Sequence, residues 1–296
     1  MEACRAYFGG LEMRDQADTL RKMVRTQKMS NPRIIAITSG KGGVGKTNLS
    51  VNLSLALVEM GYRVALLDVD LGLANADIVL GVSPEYNLSH VLRGEKTIRD
   101  VIAEGPLGLK LLAGGSGVYD MANLNGWRLE AFANSIEQLN RDFDFVILDT
   151  GGGIHRNVLS FVLATSEVIV VTTPEPTAIT DAYGIIKVIY QKNPDSQINL
   201  VVNMAHNPSE AELVADKLNS VLQQFINKRV NYLGYVLFDQ HVSKAVADQL
   251  PVIMAYPSSI TSRSIKRIAR CLAGDDSPSG NGFKKFFNRV YDLLRI

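Results

Sequence analysis

Residues 40–47 read Gly40-Lys41-Gly42-Gly43-Val44-Gly45-Lys46-Thr47. A short β-branched apolar run at 34–38 precedes this stretch, and a helical pattern of leucines follows it over 46–60. The order of strand, glycine-rich turn and helix, with the spacing G-x-x-x-x-G-K-[ST], is typical of a phosphate-binding loop. Its glycines let backbone N–H groups turn towards phosphate oxygens, and the helix N-terminus adds partial positive charge. The spacing therefore predicts a nucleotide site.

The polar residues of this loop have separate expected roles. Lys46 is placed to reach the β- and γ-phosphates of a nucleoside triphosphate, and the Thr47 hydroxyl is placed to bind Mg²⁺. A chance glycine-rich turn is a poor alternative, because it would not combine four glycines with a Lys-Thr pair between a strand and a helix. The expected nucleotide-binding residues here are Gly40, Lys41, Gly42, Gly43, Val44, Gly45, Lys46, Thr47 and Asn48.

Further apolar runs repeat the pattern of the first strand. They fit buried parallel strands because both of their faces are apolar. Helical spacing between them, as at 178–191 and 209–226, indicates strand–helix alternation with right-handed crossovers. The sequence thus predicts an α/β fold over 32–273: a single P-loop NTPase domain with a mostly parallel twisted sheet and helices on both faces. The runs lie at 64–67, 145–148, 168–171, 198–202 and 232–237.

Acidic residues end two of the expected strands. Asp68 and Asp70 close the run at 64–67, and Asp149 closes the run at 145–148. Carboxylates at the carboxyl edge of a parallel sheet can orient water for in-line attack on a γ-phosphate. Asp149 matches a Walker B aspartate, which holds Mg²⁺ directly or through water. The alternative for Asp68 and Asp70 is that they cap the helix that follows.

Lys41 near the start of the loop, together with Asp68 and Asp70, resembles the deviant Walker A ATPases of the MinD/ParA group over about residues 34–272. The resemblance implies an ATP hydrolase that uses ATP, ADP and Mg²⁺ and forms an ATP-dependent homodimer. In that dimer Lys41 would reach the nucleotide of the partner; the alternative is a solvated loop lysine. The implied catalytic residues are Lys41, Lys46 and Asp70, and the implied metal site is Thr47, Asp68 and Asp149.

Three further positions resemble the same family less completely. Asn203, after the run at 198–202, resembles its adenine-contacting asparagine, and Asp239 lies where the family closes over the base. Either residue can instead be a turn former. Gly151-Gly152-Gly153 stands where family members often have Pro-Ala-Gly. We expect the three glycines to give a looser switch loop, which affects the timing of hydrolysis.

The chain ends in an amphipathic pattern. Residues 274–282 have the composition of a flexible linker, which would isolate the last residues from the fold. Over 283–296 the apolar side chains share one helical face, with basic residues beside it. This pattern is typical of a helix at the membrane interface, and MinD carries a similar tail; the alternative is a terminal helix docked on the body. The expected membrane helix comprises Phe283, Lys284, Lys285, Phe286, Phe287, Arg289, Val290, Leu293 and Leu294.

The segment 1–31 precedes the first strand and contains Asp15-Gln16-Ala17-Asp18-Thr19-Leu20-Arg21. Ahead of a MinD-like ATPase, this DQAxxLR pattern resembles FlhG (also called YlxH or FleN), the regulators of flagellar number and placement. The resemblance implies that Asp15, Gln16, Ala17, Leu20 and Arg21 activate a partner, the signal-recognition-type GTPase FlhF. It also implies the flagellar switch ring (C-ring) as a partner. The alternative is a disordered, mildly basic leader.

The formal net charge of +1 conceals an uneven distribution. Residues 1–31 carry a net +2, residues 32–262 a net −6 and residues 263–296 a net +5. The acidic body disfavours nucleic acid as a partner, whereas the basic end suits anionic membrane lipids. Cys4 and Cys271 have no metal-binding spacing, and the sequence predicts neither a secretory signal nor a membrane-spanning run.

Together the motifs and the resemblance to the MinD/ParA group and FlhG imply a dimerising, membrane-cycling ATPase that regulates the number and placement of bacterial flagella. We expect it to be cytoplasmic and to bind peripherally to the inner face of the cell membrane as the ATP-bound dimer. Two alternatives stay open. One is a MinD ATPase that places the division site, which the N-terminal segment disfavours. The other is a ParA-type DNA-partitioning ATPase, which needs a basic surface on the body.

Overall fold

The computed structural model describes residues 31–70, 75–114, 126–274 and 282–295, and its strands form an eight-stranded sheet. The N-terminal segment with Asp15, Gln16, Ala17, Leu20 and Arg21 lies outside the described residues, as do residues 275–281 of the predicted linker at 274–282. The strands are β1 (Arg33–Ser39), β2 (Val64–Asp68), β3 (Ile102–Glu104), β4 (Lys110–Ala113), β5 (Phe145–Gly152), β6 (Glu167–Thr172), β7 (Gln197–Ala205) and β8 (Asn231–Leu237).

The sheet has the strand order β3-β4-β2-β5-β1-β6-β7-β8. Neighbouring strands run parallel, except that β3 pairs antiparallel with β4. This architecture confirms the predicted α/β fold with a mostly parallel sheet. The prediction did not include β3 and β4, which have three and four residues, because runs this short carry little periodicity.

Helices connect the strands and cover both faces of the sheet. The predicted helices at 46–60, 178–191 and 209–226 are confirmed, with bounds that differ by at most two residues. Asn207 caps one of them through its side chain, which accepts a hydrogen bond from the Glu210 N–H at 2.9 Å. The helices are α1 (Lys46–Glu59), α2 (Ala76–Leu80), α3 (Leu88–Leu92), α4 (Gly126–Glu137), α5 (Arg156–Ala164), α6 (Pro176–Lys192), α7 (Pro208–Ile226), α8 (Gln240–Ala247), α9 (Val252–Ala255), α10 (Ile260–Gly274) and α11 (Gly282–Arg295).

Two hydrophobic cores lie on the two faces of the sheet. Along β1, Ile34 and Ala36 contribute to one core, and Ile35 and Ile37 to the other. Helices α1 and α10 cover the second core, whereas α4, α5, α6, α7 and α11 cover the first. The central strands are therefore buried on both sides, which explains why their sequences are apolar at successive positions.

Helix α11 packs into the first core. Phe283, Phe286, Phe287 and Val290 are at most 1% exposed. The ring of Phe287 meets that of Phe132 in α4 edge to face, with 5.0 Å between centroids. These contacts correct the expectation that the linker isolates the last residues from the fold.

The physical reason is that a linker permits docking as readily as separation. The apolar face of α11 is buried against apolar side chains in a groove between α4 and α5, where it is shielded from water. The basic side of the helix stays wet: Lys285 is exposed, and Lys284 and Arg289 are partly exposed. None of the helices among the described residues is both long and apolar enough to cross a bilayer.

Candidate nucleotide site

The phosphate loop connects the end of β1 to the start of α1. Gly45 precedes the helix in a left-handed conformation with φ 85°, which favours glycine. A side chain there would also collide with Asn203, because an added Cβ would lie 2.4 Å from its Nδ2 atom. Gly45 provides no side-chain cap for α1, so the N–H groups of the first turn stay available to an anion.

The two lysines of the loop lie in different environments. Lys46 is 7% exposed, and burial lowers the pKa of its ammonium, while the nearby carboxylates of Asp149 and Asp70 act in the opposite direction. Lys41 is on the surface, where its Nζ lies 2.9 Å from Glu175 Oε2 and 3.1 Å from Thr177 Oγ1. Lys46 is therefore buried beside these carboxylates, whereas Lys41 lies at the surface of the loop.

Asp68 and Asp149 are brought side by side by strand pairing. Residue 68 of β2 is directly opposite residue 149 of β5 in the parallel register. Both are buried, at 2% and 1% exposure. Burial raises the pKa of Asp149 to about 7, and the neighbouring charge of Asp68 contributes; burial likewise raises the pKa of Asp68 to about 6.

The donor set around Asp149 fits Mg²⁺. Its carboxylate accepts a hydrogen bond from the Ser50 hydroxyl at 2.8 Å and another from Thr47. These are hard oxygen donors, and Mg²⁺ in such sites takes one or two protein oxygens plus phosphates and water. Among the described residues, no group of three or more acidic, histidine or cysteine side chains lies where it could hold a metal ion.

Asp68 also has a structural role that matches the alternative considered for it. Its Oδ2 accepts hydrogen bonds from the N–H groups of Asn75 and Ala76 at the start of α2, at 3.1 and 3.2 Å. Asp70 is partly exposed, and its Oδ1 lies close to Gly151. The structure thus places Asp70 beside Gly151, near the carboxyl end of β5.

The three glycines after Asp149 pack closely instead of forming an open loop. Gly151 and Gly152 continue β5. A Cβ added at Gly152 would lie 2.9 Å from the backbone of Lys41 and Gly42, and the Gly153 N–H donates to the Ser39 carbonyl at 2.9 Å. The expected looseness is therefore not what this structure has at Gly151 and Gly152: Gly151 lies close to Asp70 and Val158, and Gly152 has no room for a side chain because the phosphate loop approaches it closely.

A pocket opens beside the phosphate loop, at the carboxyl ends of β7 and β8. Asn203 lines it and donates from Nδ2 to the Val44 carbonyl at 2.8 Å. Asp239 lines it too, but its carboxylate accepts from the His241 N–H at 2.9 Å and so caps α8, as the turn-former alternative proposed. The other lining residues near the opening include Asn48, Met204, Phe238, Val242 and Thr261.

Sequence reasoning missed two buried polar residues of α1. Ser50 bonds Asp149, as described above, and Asn52 accepts from the Ile253 N–H at 3.0 Å while donating to the Asn48 carbonyl at 2.8 Å. Asn52 thereby ties the wall of the pocket formed by α9 to the helix that begins at the phosphate loop. The available signal was the alternation of Ser50, Asn52 and Ser54 with the apolar residues of α1.

The fold and site define a P-loop NTPase: a parallel sheet with a phosphate loop after β1 and acidic residues at the ends of β2 and β5. The family profile described as ParA, NUBPL iron-transfer P-loop NTPase, matches residues 30–273. The chain belongs to the ParA/MinD family of P-loop NTPases, whose reaction is ATP hydrolysis.

Individual relatives span most of the chain. It is similar to the antiactivator FleN of Pseudomonas aeruginosa, with 38% identity over 266 residues, 90% of this chain and 95% of FleN. It is similar to the flagellum site-determining protein YlxH of Helicobacter pylori, with 36% identity over 89% of this chain and 91% of YlxH. Among solved structures, the septum site-determining protein MinD of Pyrococcus horikoshii, complexed with Mg-ADP, superposes with a TM-score of 0.66 at 26% identity, covering 81% of this chain and 96% of that one.

Proposed function

We propose that this protein is an ATP-dependent, dimerising, membrane-cycling ATPase that regulates the number and placement of flagella. The observation that carries the proposal is the similarity to FleN and YlxH along nine-tenths of the chain, since YlxH is named for determining the flagellum site. The MinD division ATPase is the second candidate, supported by the fold. The identity to FleN favours the flagellar interpretation.

For hydrolysis, the residues divide into binding and water-orienting groups. Lys46 and the N–H groups of the loop hold the triphosphate, and Asn203 and Asp239 flank the base. Thr47 and Asp149, with Asp68 behind them, would hold Mg²⁺, which when bound neutralises charge on the phosphates. Asp70, beside Gly151 and partly exposed, orients the attacking water.

Dimer formation places Lys41 at the phosphates of the second chain. In the single chain its ammonium contacts Glu175, and the two side chains are 35% and 65% exposed. An ion pair this exposed contributes about 0.2–1 kcal/mol, so it restrains Lys41 weakly. The lysine can therefore exchange Glu175 for a partner's phosphate, where a cation stabilises the transition state more strongly. ATPase activity per chain should then rise with protein concentration.

Membrane binding requires helix α11 to leave its groove. Burial of each large apolar side chain contributes about 1.5–3 kcal/mol, whether the helix lies in its groove or in the membrane interface. The free-energy change for moving the helix from protein to lipid is therefore small. Lys284, Lys285 and Arg289 shift this balance towards an anionic surface, by about 1 kcal/mol each. Two helices in one dimer add about 10²–10⁴ in avidity, which makes the ATP-bound dimer the membrane form.

Co-sedimentation with anionic vesicles tests the membrane step. Deleting α11 is a poor variant because it would uncover the first core. The better variant is Lys285→Glu with Arg289→Glu, which reverses two charges on the wet side of the helix and leaves its apolar face intact. We expect ATP-dependent sedimentation to fall at least about tenfold, since each basic residue near an anionic surface contributes about 1 kcal/mol.

Two controls accompany this double variant. Thermal unfolding reports whether the variant keeps its fold. Lys192→Glu with Lys217→Glu reverses two charges on the exposed surfaces of α6 and α7, so it makes the same change in net charge away from α11. Sedimentation of this control should stay close to that of the wild type. Unchanged sedimentation of the α11 variant would reject lipid as the partner of the helix.

The N-terminal segment is proposed to bind and activate a partner GTPase. We expect the full-length protein to stimulate GTP hydrolysis by the signal-recognition-type GTPase FlhF, and Gln16→Ala with Arg21→Ala to remove that stimulation while the chain's own ATPase activity stays unchanged. Equal stimulation by the variant would reject these residues as the activating ones. No stimulation by the wild-type chain would favour the MinD interpretation. Switch-ring proteins are the proposed second partner.

DNA partitioning has less support from the described surface. The basic side chains of α10 are the strongest candidate for a DNA contact, yet Lys266 pairs with Glu59 at 2.7 Å, and the guanidinium of Arg267 lies over the ring of Tyr235 at 4.3 Å. A net charge of −6 over residues 32–262 also disfavours contacts with phosphates.

A further inference from the structure

Helix α11 is held at its two ends by side chains on either side of β5. At its start, Asn140 Oδ1 accepts a hydrogen bond from the Phe283 N–H at 2.8 Å. At its end, the guanidinium of Arg156 donates to the Leu294 carbonyl. Asn140 precedes β5, whereas Arg156 is the first residue of α5 and follows the three glycines at the end of β5.

These two anchors differ in their distance along the chain from the ATP site. Between Asp149 and Arg156 there are six residues, and three of them contact the phosphate machinery. Gly151 lies against Asp70, Gly152 against the backbone of the phosphate loop, and the Gly153 N–H donates to Ser39. Asn140 lies at the opposite edge of the sheet, where β5 begins. Residues 150–155 therefore connect Arg156 directly to the nucleotide site, whereas Asn140 has no such short connection.

The chemistry of the Arg156 contact suits a releasable anchor. The last carbonyls of a helix have no partner within the helix and carry partial negative charge. A guanidinium there makes a charge-assisted hydrogen bond, which depends strongly on geometry. Arg156 is exposed, so water can replace the bond once the geometry is lost.

We propose that Arg156 couples the nucleotide site to helix α11: it holds the end of the docked helix, and rearrangement of residues 151–155 around a γ-phosphate withdraws it. The inference rests on the proposed membrane role of α11. Asn140 is then an anchor that does not depend on the nucleotide. The two side chains give the helix one constant and one conditional attachment.

The test compares three full-length proteins: wild type, Arg156→Gln and Asn140→Ala. Vesicles of phosphatidylglycerol and phosphatidylcholine are sedimented with each protein, in ADP and in a non-hydrolysable ATP analogue. Asn140→Ala should raise binding by a similar factor in both nucleotides and preserve their ratio. Arg156→Gln should raise binding about tenfold in ADP and little in the analogue, so the ratio collapses. Equal behaviour of the two variants would overturn the proposal.

A second readout needs no membrane. Amide hydrogen exchange over 286–294 should be faster with the analogue than with ADP in the wild type, and insensitive to nucleotide in Arg156→Gln. Arg156→Lys keeps the cation and should restore part of the difference. If exchange follows the nucleotide but vesicles do not bind, the membrane function fails and the coupling stands. If exchange in Arg156→Gln still follows the nucleotide, the coupling fails.

Discussion

The phosphate loop and helix α11 keep their structures by different means. The structure of the loop depends on backbone conformation and close backbone contacts. Gly45 is left-handed, and Gly152 lies against the loop with no room for a side chain. The position of α11 depends instead on the volume of the side chains that it buries, such as the rings of Phe286 and Phe287. One added methyl group should therefore damage the loop, whereas α11 should lose stability in proportion to the volume removed from it.

The largest expected effect concerns the chemistry beside the loop. Asp70→Asn keeps the size of the side chain but removes the charge that we propose orients water, so under the proposed mechanism kcat for ATP should fall by about 10²–10⁴. ATP affinity, measured by equilibrium binding, should change little because Asp70 is not a phosphate ligand. A kcat within about fivefold of the wild type would assign the water-orienting role elsewhere.

The next effect concerns α11. Phe287→Ala removes a fully buried ring and should lower the free energy of unfolding by about 3–5 kcal/mol, measured in urea. Leu293→Ala is the matched control. Because Leu293 is only partly buried, this substitution should lower the free energy of unfolding much less. Similar small losses in both variants would mean that the helix spends much of its time away from the groove.

A smaller, steric effect separates two neighbouring glycines. Gly152→Ala places a methyl group 2.9 Å from the phosphate-loop backbone and should cost about 1–3 kcal/mol of stability. It should also weaken ATP binding, because the loop has to shift. For the stability measurement, made without nucleotide, Gly42→Ala is the control, as nothing lies within 4 Å of its added Cβ. Equal losses of stability in the two variants would contradict the backbone explanation of the loop.

The pH dependence of stability tests the buried carboxyls. Because the pKa of Asp149 is raised from 3.8 to about 7, the folded protein binds more protons than the unfolded chain between these values. The contribution of this group to stability should therefore be complete below about pH 4 and be lost as pH rises to about 7. Calorimetry without nucleotide or Mg²⁺ should show this, and Asp149→Asn should flatten the slope. A slope of the opposite sign would contradict the burial of a protonated carboxyl.

The smallest effect belongs to the surface pair of Lys41. Glu175→Ala removes an exposed ion pair and should change stability by less than about 1 kcal/mol. Under the proposed dimer mechanism, it should shift ATPase activity towards lower protein concentration, because Lys41 loses the carboxylate that competes for it in its own chain and keeps only the Thr177 hydroxyl. A large loss of stability would show that this contact is part of the fold.

Much of the nucleotide site could be predicted because its signals are local. The spacing of Gly40, Gly45 and Lys46 specifies a turn between a strand and a helix, whatever the rest of the chain does. Asp149 could be identified as the end of an apolar run. Ser50 and Asn52 could not, because their partners, Asp149 and Ile253, are 99 and 201 residues away in the chain.

The sequence by itself determined the α/β class, the phosphate loop and the amphipathic character of residues 283–296, since each depends on residue type and spacing within a few turns of chain. Only the tertiary structure decided that Asp68 meets Asp149, which follows from the pairing of β2 with β5. Only it decided that α11 fills the groove between α4 and α5, with Arg156 at its end. The physical reason is that an apolar face specifies burial without specifying the surface that buries it.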